Sequence, residues 1–145
     1  MDIKIKRIDP SLPLPEYKTS GAAAFDLYSR TDVTIPPKGW ALAPSNLIIE
    51  IPVGEGLIIS ARSSLAKHYP GLILPNGFGL IDSDYRGPND EIKISLFNLT
   101  DKEIIVKKGD RIAQAFLFKY ERHQWKEVSE ISNDDRGGFG STGLK

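Results

Sequence analysis

DIKIKRI, residues 2–8, sets Ile3 and Ile5, with Ile8 as a further candidate, against Lys4 and Lys6. Strict alternation of apolar and charged side chains is the period of two that puts one face of a β-strand on a core and the other in water. Helical periodicity is scarce along the rest of the chain. Short runs rich in Ile, Val, Leu and Phe recur instead: AAFDLYS (23–29), VTIP (33–36), GWALAP (39–44), LIIEIP (47–52), GLIISAR (56–62), LILP (72–75), FGLID (78–82), EIKISLFNL (91–99), EIIVKKG (103–109) and RIAQAFLFKYE (111–121). With ten prolines and thirteen glycines between them, so many short strands point to an all-β barrel, jelly roll or sandwich. One segment breaks the pattern. SSLAKHY (63–69) reads as a brief helix with Ser63 or Ser64 as its N-cap and Pro70 beyond its end.

A chain of 145 residues is the size of one domain with tails. Lys plus Arg and Asp plus Glu both total 19, so no global field draws it to nucleic acid or membrane, and any anion binding is local. There are no cysteines, which excludes a disulfide framework, a thiolate metal site and a cysteine nucleophile. With only His68 and His123, a zinc site built on imidazoles is not expected. The N-terminus lacks a signal-peptide core and no window approaches the ~18 apolar residues of a membrane span. A soluble, intracellular, cytoplasmic protein is expected.

Four constellations carry candidate chemistry. ARSSLA (61–66) puts Arg62 and two hydroxyls at the mouth of the short helix, where free N–H groups and a guanidinium favour a phosphate; the plain alternative is an N-cap beside a surface arginine. RGGFGSTG (136–143) is a disordered terminus or a lid, and Phe139, of no use to a solvated linker, favours a lid that stacks on a flat base. KKGDRIAQ (107–114) is a turn leading into a strand whose Gln114 needs a partner that a ligand oxygen can supply. GLIDSDYRG (79–87) places Asp82 directly after an apolar run, in an expected hairpin. If its side chain faces inward, it is a partly desolvated carboxylate suited to act as a general base. Asp84 reads as a structural or salt-bridged acid. Tyr85 suits a sugar, a base or a cross-strand contact.

In order, TSGAAAFDLYS (19–29), ARSSLAKH (61–68), NGFGLIDSDYRG (76–87), KKGDRIAQAFL (107–117) and RGGFGSTG (136–143) resemble the five motifs of the trimeric all-β deoxyuridine triphosphatases, the dUTPases. The resemblance implies a jelly-roll-like β-barrel over residues 1–132 and a flexible lid over 133–145. It implies hydrolysis of dUTP to dUMP and pyrophosphate by water attack at the α-phosphorus, limiting uracil in DNA and supplying dUMP for thymidylate synthesis. Asp82 is then the base. Ser63 lies at the α–β bridge, Arg62 and Ser64 at the phosphates, and Gln114 at the α-phosphate. Asn76, Gly79, Leu80, Ile81, Asp82 and, on the facing strand, Lys93 read uracil, while Tyr85 packs beneath the deoxyribose. Phe139 covers the base, and Arg136, Gly140, Ser141 and Thr142 close on the phosphates. The resemblance also implies a homotrimer whose three chains share each site. Mg²⁺ would be held by the triphosphate and waters without a direct protein ligand, with Asp26 in its outer shell or ordering the site.

The chain departs from the family pattern in places. PSNL (44–47) replaces PTGL, and Asn46 is the best non-glycine residue for a left-handed turn. The segments at 69–75 and 88–91 are longer than usual. A dCTP deaminase resembles this family in fold and uses a glutamate near the hairpin, for which Glu91 could be mistaken; the intact Tyr85 and the RGGFGSTG tail argue against it, and that enzyme, or a noncatalytic regulatory binding protein on the same scaffold, is the alternative.

Overall fold

The computed structural model describes residues 2–131, 134, 135, 137 and 138. Each of the eleven apolar runs contains a strand: β1 Ile5–Arg7, β2 Phe25–Tyr28, β3 Val33–Ile35, β4 Trp40–Pro44, β5 Leu47–Ile49, β6 Glu55–Ala61, β7 Leu72–Ile73, β8 Gly79–Ile81, β9 Lys93–Asn98, β10 Ile104–Val106 and β11 Arg111–Lys119, with one helix, α1 Leu65–His68. They form four antiparallel sheets in the orders β1-β5, β10-β3, β2-β11-β6-β8 and β4-β9-β7. The ladders do not close into one barrel, and the fold is jelly-roll-like. Among the described residues no helix is long and apolar enough to cross a membrane.

The sheets face one another across a core that includes Leu27, Ile35, Leu57, Ile94, Leu96 and Ile112, all essentially without exposure. Alternation decides which side chains enter it. In β9, Ile94, Leu96 and Asn98 are buried while Lys93 is exposed. Each buried Leu or Ile contributes roughly 1.5–3 kcal/mol. Ile3 and Ile5 pack on this core, but Ile8 is exposed because residues 3, 5 and 7 share a face that residue 8 does not.

Asn46 has φ 75°, so the left-handed turn expected of it is present, and its side chain does more. Its amide donates to the Asp9 carbonyl at 2.9 Å and accepts from the Asp9 N–H at 2.6 Å. That grip fastens the end of β1 to the β4–β5 turn.

The helix is shorter than the 63–69 reading, and of the two N-cap candidates Ser64 is the N-cap residue. Ser64 occupies the N-cap position in a helical conformation, and its hydroxyl makes no cap bond. The Leu65 N–H is already taken by the Arg62 carbonyl at 3.0 Å, which removes one need for a hydroxyl cap. A helix of four residues has no stability of its own; buried Leu65 pins it to the core.

The expected hairpin of GLIDSDYRG is not one. β8 pairs with β6, whereas β9 pairs with β4 and β7, so the chain between them crosses from one sheet to another. Among the described residues, β11 is the last regular element and ends at Lys119. Residues 121–131 are exposed and neither helical nor extended in a ladder. The lid positions Arg136, Phe139, Gly140, Ser141 and Thr142 lie outside the described residues.

Candidate active site

Three adjacent strands build a cluster of charge at one end of the largest sheet. Gln114 on β11 stands opposite Asp26 on β2 and Ser60 on β6. A bulge between Arg111 and Ala113 shifts the β11–β2 register, the kind of irregularity that re-aims a side chain. Asp26 pairs with both neighbouring arginines: Arg62 Nε forms an ion pair with Oδ1 at 2.7 Å, and Arg111 Nη1 donates to Oδ2 at 2.9 Å. Arg62 also donates to the Arg111 carbonyl at 3.0 Å. Asp26 is therefore the counter-charge that orders two guanidinium groups. With each of its oxygens engaged in this way, it does not fit the role of a direct metal ligand. Among the described residues no group of three or more His, Asp or Glu side chains is placed to hold a metal ion.

Gln114 has a partner within the chain, since its Nε2 donates to the Ala61 carbonyl at 3.1 Å. The need that a ligand oxygen was expected to meet is met by backbone, and the bond ties β11 to the residue just before Arg62. Ser63 is exposed and Ser64 half-buried beside them. Next to this cluster opens a cleft of about 360 Å³ lined by Arg62, Leu65, His68, Tyr69, Gly109, Asp110 and Arg111. Gly109, with φ 87°, makes the turn that brings Asp110 round to accept from the Lys107 N–H at 2.8 Å. The Tyr69 hydroxyl also donates to Asp110. Burial first, then that bond and the negative charge, push the Tyr69 phenol up to about 12. The longer segment at 69–75 thus begins with a tie between α1 and the turn that presents Arg111.

A second, smaller space lies between β8 and β9. It measures about 130 Å³ and is lined by Ile59, Leu74, Asn76, Gly79, Leu80, Ile81, Lys93, Ile94 and Ser95. Drug-sized ligands take roughly 300–1,000 Å³, so this volume suits one flat ring. β8 is the edge strand of its sheet, pairing only with β6. On β9, residues 93–95 pair with β4 alone, because β7 reaches only Phe97 and Asn98. The space is therefore flanked by two strand edges whose backbone donors and acceptors lack ladder partners. Such groups are strong and obligatory hydrogen-bonding sites. Asn76, Gly79, Leu80, Ile81 and Lys93 come together here as the sequence suggested. Ser95 was missed, although alternation from Lys93 puts it on the same face. Gly79 is fitted to the pairing, since a Cβ there would stand 3.2 Å from that of Ile59. A third space, about 280 Å³ and lined mainly by apolar residues including Ile3, Phe25, Leu57 and Leu117, with Tyr17 at its wall, contains none of the candidate residues.

Asp82 does not face inward. Among the described residues it is exposed, because it follows β8 in phase with Leu80, itself 55% exposed. Its carbonyl accepts from the Tyr85 N–H at 3.2 Å. Tyr85 in turn makes no cross-strand stack: its hydroxyl donates to the Glu91 carbonyl at 3.1 Å. Asp84 is exposed and forms no ion pair among the described residues, so the salt-bridged role expected for it is absent. Arg86 lies 4.0 Å from Glu50. Glu91 is buried and fully engaged. Arg30 grips it from Nε at 2.8 Å and Nη2 at 2.9 Å, and the Asn46 N–H donates at 2.8 Å. Burial alone would raise its carboxyl, but these donors and the Arg30 charge outweigh it and hold it below the usual glutamate range. A glutamate so clamped is not free to work as an acid or base in a deaminase. Sequence reading missed the Arg30 pairing because 61 residues separate the partners.

A family model described as dUTPase matches residues 11–143 of the chain. The chain belongs to the dUTPase family. This dUTPase-family chain is 44% identical to the deoxyuridine 5'-triphosphate nucleotidohydrolase of Dictyoglomus turgidum, with 98% of each covered. It is 40% identical to that of Helicobacter pylori strain P12, covering 99% of this chain and 98% of the relative. Its fold matches a mutant dUTPase of Staphylococcus bacteriophage 80alpha with dUpNHpp at a TM-score of 0.84, over 99% of both chains at 21% identity.

Proposed function

We propose that the chain hydrolyses dUTP to dUMP and pyrophosphate. The observation that carries this reading is the ring-sized gap between two unpaired strand edges. Uracil presents alternating acceptors and a donor along one edge, and a pair of fixed backbone edges complements it without flexible side chains. Gly79 to Ile81 and the β9 residues Lys93 and Ser95 supply that frame, with Asn76 at its mouth and Tyr85 beneath the deoxyribose.

The phosphates extend to Arg62, the Ser63 hydroxyl, the Ser64 N–H and Gln114, whose positions the Asp26 and Ala61 contacts hold. Asp82 takes a proton from water as its oxygen bonds the α-phosphorus; the bond from that phosphorus to the bridging oxygen breaks, and pyrophosphate leaves. When bound, Mg²⁺ arrives on the triphosphate and neutralises part of its charge. Residues 133–145 form the lid in this reading, with Phe139 over the base and Arg136, Gly140, Ser141 and Thr142 at the phosphates.

We place the sites between chains of a homotrimer. Three features support this. The gap and the Arg62 cleft share no lining residue. Asp82 lies open to solvent. Trp40, Leu42 and Ile73 leave an apolar face exposed on the β4-β9-β7 sheet, and Trp125, Val128 and Ile131 are exposed on the segment after β11. A cytoplasmic location accompanies this reading; the lack of cysteines is compatible with it.

The test is pyrophosphate release from dUTP, dCTP, dTTP and UTP with Mg²⁺. Release from dUTP well above the other three is expected, whereas none from dUTP, or ammonia from dCTP, would overturn the assignment. Mixing Asp82→Asn with Arg62→Ala chains after subunit exchange should restore activity neither has alone, because sites between chains then pair an intact half from each. No recovery after demonstrated exchange would refute shared sites.

A further inference from the structure

We infer that buried Glu91, clamped by the part-exposed Arg30, is a positioning device for Tyr85, and that through Tyr85 the pair sets how strictly the sugar is read. The inference rests on the reading that Tyr85 packs beneath the deoxyribose. Tyr85 is fastened at both ends of the segment that crosses between sheets: its N–H to the Asp82 carbonyl and its hydroxyl to the Glu91 carbonyl. The second anchor is only as firm as Glu91. That residue is 6% exposed, with both carboxylate oxygens held by Arg30 and one also by the Asn46 N–H. Arg30 is fixed in turn, its own N–H donating to the Pro44 carbonyl at 2.7 Å.

The additional residues before Glu91 form a closed turn and not a slack loop. The Gly87 N–H donates to the Asp90 carboxylate at 2.6 Å, and the Asp90 N–H returns to the Gly87 carbonyl at 3.1 Å. This turn delivers Glu91 to its clamp and leaves little freedom in the crossing. An untethered aromatic ring can swing aside for one more hydroxyl; a ring held at N–H and hydroxyl cannot. Exclusion of a ribose 2′-hydroxyl therefore depends on stiffness as well as shape.

The experiment compares kcat/KM for dUTP with that for UTP in three variants. Tyr85→Phe keeps the ring and removes the tether. Arg30→Met with Glu91→Met removes both charges of the pair together, which avoids stranding the Glu91 carboxylate without its partner, and the third variant combines all three changes. The dUTP-to-UTP ratio is expected to fall about three- to tenfold in Tyr85→Phe, the range of one lost hydrogen bond. The Met pair should give a similar fall and the triple variant no further loss, because all act through one contact. An unchanged ratio in Tyr85→Phe, or losses that multiply in the triple variant, would overturn the inference. Should the Met pair fail to fold, the Tyr85→Phe ratio decides alone. Failure of the underlying reading is separate, since it appears as no pyrophosphate release from dUTP by the unaltered chain.

Discussion

Replacing Asp26 should loosen the phosphate cluster and the fold together. Its side chain is 13% exposed and Arg62's is 20%, so the contact between them is shielded from water. A part-buried ion pair of this kind falls between the roughly 0–1 kcal/mol of an exposed pair and the roughly 3–5 kcal/mol lost when a buried one is broken. Arg111 is 41% exposed, and solvent screening limits its contact to below about 1 kcal/mol. Asp26→Ala is therefore expected to lose about 2–4 kcal/mol. Asp26→Asn should lose roughly half as much, because an amide oxygen still accepts from one arginine while its NH₂ opposes the other. For a chain of this size each kcal/mol lowers Tm by roughly 2–4 °C. Urea unfolding at fixed protomer concentration is the assay, since assembly makes apparent stability concentration-dependent. A double-mutant cycle should give a larger coupling for Asp26 with Arg62 than for Asp26 with Arg111. The reasoning fails if Asp26→Asn costs less than about 0.5 kcal/mol, within the range of ordinary surface changes, or if the two couplings rank the other way.

Asn46→Gly keeps the left-handed turn but loses the two bonds to Asp9, and should cost about 2 kcal/mol; Asn46→Ala adds the backbone penalty of about 1–2 kcal/mol, so equal midpoints in urea would contradict this account. The Tyr69 phenol keeps its proton longer in the folded chain than in the unfolded one, so its contribution is full below about pH 10 and disappears as pH rises toward its folded value of about 12. Tyr69→Phe should be less stable than the parent at neutral pH, with the two unfolding curves converging between pH 10 and 12; a constant gap across that window would exclude the Asp110 bond as the cause. Deleting residues 136–145 is expected to leave Tm within about 2 °C, because the sequence RGGFGSTGLK offers little apolar surface for a core, while removing most dUTP turnover. Unchanged turnover would remove the lid assignment.

Alternation along runs such as DIKIKRI and EIKISLFNL was sufficient to locate the strands, because each side chain's face follows from its position in a period of two. The order of the short motifs pointed to the family, and the residue type at Asn46 announced its turn. These are local properties, set by a few neighbouring residues.

What alternation did not reveal was partnership across the sequence. The expected hairpin became a crossing between sheets, because strand pairing depends on which edges meet in three dimensions. The same is true of Arg30 with Glu91, Asp26 with Arg62 and Arg111, and Tyr69 with Asp110: charge and hydrogen-bonding capacity are visible in sequence, but distance is not. The exposed orientation of Asp82 emerged from the phase of β8 against the core. Sequence by itself determined the strands, the family and the inventory of reactive groups. Tertiary structure decided which groups are clamped, which edges stay open, and how the ring-sized gap forms, because those depend on contacts between residues the chain holds far apart.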